Sequence, residues 1–184
     1  ANWHMQRARQ LCDDFPDRLL VVMADDPFFR GGLSAPNSLF LHVDRPMISG
    51  NGTSTFLHEI FHVGLSRTAA PGEDWIVEGL AEYYSQQWLF RAGSVSQQRH
   101  ERTLAQLAQW ANEAKTLKAA NSSGATTAHA VGVFAALDNE IAATTNGQQS
   151  LDAVVRILAE SEETLDLLAL RAAAREVTGK VPKA

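Results

Sequence analysis

The sequence predicts an α+β chain, with a small, mainly β lobe over residues 1–52 and a larger helical lobe over 53–184. Before residue 46, apolar residues come in two short continuous runs bounded by turn residues, as strands do. From residue 53 onward they recur at three- and four-residue spacing between capping residues, as in helices. The composition, 45% hydrophobic and 20% charged over 184 residues, is enough for a real core in one domain or two small lobes.

Residues 2 to 13 read as a short helix ending before Asp13-Asp14-Phe15-Pro16. Leu19-Leu20-Val21-Val22-Met23 reads as a buried strand, broken by Asp25-Asp26-Pro27. Gly31-Gly32-Leu33-Ser34-Ala35-Pro36-Asn37 is turn-rich. Ser38 to Asp44 reads as a second strand, ended by Pro46. Two strands are too few for a stable sheet, so the lobe either has strands not legible in its pattern or borrows some from outside this sequence. Thr53, Ser54 or Thr55 caps the next helix, whose apolar stripes are Phe56, Ile60, Val63 and Leu57, Phe61, Leu65. Asp74 caps a helix over about 75–90. Ser96 starts one reaching about Ala119, with Leu104, Leu107 and Trp110 inward. A fourth helix runs from about Thr127 to Ala143, Ser150 caps a fifth, and Ser161 caps a sixth ending near Gly179.

The net charge of -5 is mild and spread out, which argues against nucleic acid or an anionic membrane as partner. No apolar run is long enough to span a membrane. The single cysteine, Cys12, excludes an internal disulfide and a cysteine-based zinc site, and reads as a passive residue. The chain starts at Ala1, as a processed protein or an excised domain would, which leaves the compartment open. Oligomeric state is not legible.

The chemistry lies in His58-Glu59-Ile60-Phe61-His62. Two histidines four apart lie on one helix face, roughly 40° apart around its axis. Both imidazoles can then reach one Zn2+ ion, with a carboxylate between them to act as general base on a water. A catalytic zinc takes three protein ligands and keeps one position open. Glu78, among Trp75, Ile76, Val77, Leu80 and Ala81, is the third candidate, because a metal offsets the cost of burying a carboxylate. Glu82, one turn on, is placed to accept the outer N–H of a ligating histidine. The plain alternatives are two histidines bonded to backbone and an ordinary solvated acidic face.

These two motifs resemble those of the gluzincin metallopeptidases, above all the glycyl aminopeptidase and aminopeptidase-N-like families. The resemblance implies a zincin (thermolysin-like) catalytic domain over 1–184. It implies zinc ligands His58, His62 and Glu78, Glu59 as general base, and a peptide or protein substrate. The fifteen residues between His62 and Glu78 make a shorter spacer than is usual in aminopeptidase N. His129-Ala130-Val131-Gly132 stands where the family carries a Tyr-x-Lys-Gly-like segment, which puts His129 at the position of the oxyanion donor. His129 also shares a helical face with Val133, Ala136 and Leu137, which fits a core histidine. The segment from Gly31 and Gly32 to Asn37 resembles the family's glycine-rich strand at the cleft edge, able to accept an extended peptide. Ser34 stands there in place of the glutamate that holds a substrate's free amine. This departure opens the choice between aminopeptidase and endopeptidase. It also leaves, as an alternative, a peptidase-like domain that binds zinc or peptide without turnover.

Overall fold

The computed structural model describes residues 2–180. Its elements are α1 (Asn2–Leu11), β1 (Leu20–Ala24), β2 (Gly32–Ala35), β3 (Ser38–His42), α2 (Thr55–Leu65), α3 (Trp75–Arg91), α4 (Gln97–Ala111), α5 (Ala125–Thr144), α6 (Leu151–Glu160) and α7 (Leu167–Thr178). The α+β expectation holds. The missing strand is β2, inside the stretch read as turn-rich. The sheet order is β1-β3-β2, with β1 parallel and β2 antiparallel to β3.

The chain forms two compact units. The first comprises the described residues up to Ser66 together with Tyr84–Gln106. Here α2 packs on β2, β3 and α1. Ser54 caps α2, its Oγ accepting from the Leu57 N–H at 3.3 Å, and Ser66 ends it in the left-handed region at φ 49°. Phe61 of α2 stacks on Tyr84 of α3 at 5.0 Å between ring centroids. Gly64 lets the segment that follows α1 approach closely, since a methyl group there would sit 3.2 Å from the Phe15 ring. Cys12 lies buried at the same contact and is a core residue.

The first unit departs from the sequence reading at β1. All five of its residues are exposed, with Leu20 62% and Met23 54% accessible, so β1 is not a buried strand. The cause is topological: β1 pairs with β3 along one edge, while α2 covers β2 and β3.

The second unit comprises Arg67–Tyr83 and the described residues from Leu107 on. Trp75 of α3 stacks on Phe134 of α5 at 5.8 Å. The Tyr83 hydroxyl donates to Asp138 Oδ2 at 2.6 Å, and the Leu151 N–H donates to Asp138 Oδ1 at 2.7 Å. One carboxylate thus ties α3, α5 and the start of α6 together.

Two further expectations are corrected here. Helix α4 ends at Ala111 rather than near Ala119, and Trp110 is exposed rather than inward. Beyond Leu107 the apolar stripe runs out into Asn112, Glu113, Lys115 and Lys118, which offer nothing to bury. Ser161 ends α6 instead of starting the last helix, and Asp166 caps α7 through the Ala169 N–H at 2.7 Å. The reason is Leu165, which is fully buried and paired through its backbone with Thr68 and Ala70. A residue held in that extended bridge cannot also enter a helix.

In the first unit, His100 is buried and stacks face to face on Phe90 at 4.5 Å. Its Nδ1 has no hydrogen-bond partner among the described residues. Burial holds its pKa below the ordinary histidine value, with Glu101 opposing, and burial lowers His4 likewise. The folded protein therefore takes up protons later than the unfolded chain as pH falls. Stability is unaffected above the unfolded pKa and is lost as pH drops through it. The urea midpoint should fall between about pH 7 and pH 5, and fall less steeply in His100→Gln. An unchanged slope in that variant would remove His100 from the account.

Candidate metal centre

Helix α2 is buried on most sides. Leu57, Glu59, Ile60, Phe61, Val63, Gly64 and Leu65 are all buried, and the part-open stripe carries His58 and His62. Helix α3 is similar. Trp75, Ile76, Val77, Leu80, Ala81, Tyr83, Tyr84 and Trp88 are buried, while Glu78 and Glu82 fall on its part-open stripe. Apolar surroundings thus leave each helix one polar face, one holding imidazoles and the other carboxylates.

The two imidazole Nε2 atoms face each other at 3.0 Å, with ring planes at 68°. A carboxylate oxygen of Glu78 completes the group, and the three candidate ligand atoms lie within 4.8 Å of one another. Glu78 belongs to the same continuous helix as Tyr84, the residue that stacks on Phe61 of α2. A tetrahedral zinc with ligands at about 2.0–2.1 Å holds them about 3.3 Å apart. Two imidazole nitrogens and one carboxylate oxygen are the donor set such an ion takes. It is the only cluster of three or more potential ligands among the described residues.

No protein-family model matches the chain, and no curated protein matches it.

Glu59, between the two histidines in sequence, is only 7% exposed. Strand β2 packs directly on it: a methyl group on Gly32 would sit 2.7 Å from Glu59 Cγ and 2.9 Å from Oε1. It would also meet Thr55 at 2.8 Å. Only glycine lets the strand backbone come this close to the carboxylate.

The sheet register also defines the edge beside Glu59. The His42 N–H donates to the Gly31 carbonyl at 3.2 Å, so Gly31 faces β3. By alternation Leu33 and Ala35 face β3 as well, and Gly32 and Ser34 turn their backbone groups to the outer edge of the sheet. Ser34 is exposed, two residues along from the contact with Glu59.

His129 lies on α5 and is exposed, as is Ala136, so the alternative of a core histidine is not what the structure shows. Its neighbour Ala130 makes the closest approach between α5 and α3: a methyl group on Gly79 would sit 2.4 Å from the Ala130 Cβ. Gly79 itself escaped the sequence reading. The available signal was a glycine in the middle of a strongly helical apolar segment, which costs helix stability unless packing requires it. No helix among the described residues is long and apolar enough to cross a membrane.

Proposed function

We propose that this chain is a zinc-dependent peptide hydrolase of gluzincin type. The observation that carries the proposal is the grouping of His58, His62 and Glu78, with the buried Glu59 between the two histidines in sequence. The two imidazoles and the Glu78 carboxylate would hold the ion. Zinc, when bound there, supplies Lewis acidity toward a carbonyl and makes water more acidic.

The chain's own groups do the rest. Glu59 takes a proton from the attacking water and passes it to the leaving amine. Its confinement between Thr55 and the Gly32 backbone restricts where the carboxylate can go, which favours a pre-set proton acceptor. The outer edge of β2, with the backbone groups of Gly32 and Ser34, receives the substrate as an extended strand. His129 donates a hydrogen bond to the developing oxyanion, and Glu82 orients a ligand histidine. Ser34 offers a hydroxyl where an aminopeptidase needs a carboxylate, so a free substrate amine is not required. Peptides with blocked N-termini are substrates on this account.

Metal analysis tests the proposal. Wild-type protein dialysed against trace zinc should retain about one equivalent per chain, and His62→Ala should lose it. The wild type should also cleave N-acetylated peptides. Absence of zinc from the wild type, or equal retention by the variant, would overturn the proposed centre. Zinc retained without cleavage of any peptide would leave a binding domain in place of an enzyme.

A further inference from the structure

A cavity of about 180 Å³ opens in the first compact unit, between the first turns of α1 and α2 and the end of α3. Its walls are mainly apolar, formed by Ile48, Phe56, Leu57 and Leu89. It reaches solvent beside Met47 and Ser94, both exposed. Deeper in, two polar side chains interrupt the apolar lining, Ser54 and His4. Each has a hydrogen-bonding group left over. Ser54 is 1% exposed, and its Oγ accepts from the Leu57 N–H as the cap of α2. Its own O–H has no acceptor among the described residues. His4 Nε2 is buried and has no hydrogen-bond partner among the described residues. A hydrogen bond to the Trp88 backbone uses the other ring nitrogen, and burial favours the neutral ring. The nitrogen that serves a carbonyl carries the proton, which leaves Nε2 as a bare acceptor. One O–H donor and one nitrogen acceptor thus line an apolar cavity. Each is buried at a cost until something pairs with it.

We infer that this cavity binds a small uncharged molecule with an apolar body and one hydroxyl group, about the size of phenol. The volume sets the size, since an apolar cavity of about 150 Å³ takes one benzene ring. The two polar side chains set the functional group. A hydroxyl is the smallest group that both donates to a bare nitrogen and accepts from a serine O–H. Charge is disfavoured, because no Asp, Glu, Lys or Arg lines the cavity to pair with an ammonium or a carboxylate. Apolar walls with a few polar groups are how small-molecule sites divide their work, the walls giving affinity and the polar groups orientation. Neither His58, His62 nor Glu78 lines the cavity, so the inference stands apart from the proposed metal centre.

Calorimetric titration of the 184-residue chain with phenol, toluene and benzoate tests the inference. Phenol should bind with a Kd on the order of 0.1–1 mM, as a ligand of so few atoms can. Toluene has the same shape without the hydroxyl and should bind about tenfold more weakly. Benzoate should not bind measurably. His4→Phe keeps a ring and removes the acceptor, so phenol should lose most of its advantage over toluene. Ser94→Trp sets a large side chain at the open side and should abolish binding of both, with an unchanged circular dichroism spectrum. Ser94 is an exposed loop residue, so this variant tests the site even if His4→Phe disturbs α1. No heat from phenol at concentrations up to about 10 mM would overturn the inference. So would toluene binding as tightly as phenol to the wild type, or phenol binding undiminished in Ser94→Trp.

Discussion

Replacing Glu59 with glutamine is expected to lower kcat/KM for peptide hydrolysis by about 10²–10⁴-fold while leaving zinc content unchanged. The glutamine has the same shape and fits the same buried slot between Thr55 and Gly32, but it cannot accept the proton. The proposed ligands His58, His62 and Glu78 are untouched, so on the proposed function metal and activity should separate in this variant. Gly32→Ala approaches the same group from outside. Its methyl group would overlap Glu59 Cγ, so either the carboxylate or β2 must move. Misplacement by an ångström of a catalytic group costs on the order of 10²-fold, with zinc again retained. Single-turnover assays alongside metal analysis read both quantities. Equal rates in Glu59→Gln and wild type would remove Glu59 from the chemistry. A fully active Gly32→Ala would show that the close packing of β2 does not position it.

The second large effect is on stability, at the contact between α3 and α5. Gly79→Ala should gain about 1 kcal/mol from helix propensity. It must also fit a methyl group 2.4 Å from the Ala130 Cβ and 2.9 Å from the Phe134 ring. Phe134 is fully buried and stacked on Trp75, so neither neighbour has room to retreat. Overpacking of this kind costs about 1–3 kcal/mol, so the packing cost outweighs the propensity gain. The balance is a net loss of up to about 2 kcal/mol, which for a chain of this size lowers Tm by up to roughly 8 °C. Gly79→Val should be worse, since it adds a branched side chain at the same place. Glu78 is the next residue along the helix, so a displaced α3 should also weaken zinc retention. Thermal unfolding of the zinc-free forms separates the packing effect from the loss of metal. A Gly79→Ala variant more stable than wild type would mean that α3 and α5 do not meet at this residue.

The helices and the shared face of His58 and His62 were legible in the sequence because both depend on local spacing. Four-residue spacing brings His58 and His62 to one face of any α-helix. Apolar neighbours around Glu78 mark a helix with a single open stripe. Ser54, Ser150 and Gly179 cap where their chemistry says they should, since capping involves groups three or four residues away at most. The α+β class followed from the change of period near residue 53.

What only the tertiary structure decided was non-local. Whether an apolar run is buried depends on which strand pairs beside it, and β1 is an edge although its residues read as core. Leu165 leaves the helical register because Thr68 and Ala70, far away in sequence, take its backbone hydrogen bonds. Strand β2 has only four residues, one of them glycine, too few for a period to emerge, and forms because β3 supplies its partners. The same holds for the site. The motif names Glu59 as a proton acceptor, but only the approach of Gly32 shows what confines it. Spacing along one chain sets the face a residue occupies. The contact it makes there is set by whatever the rest of the chain brings against that face.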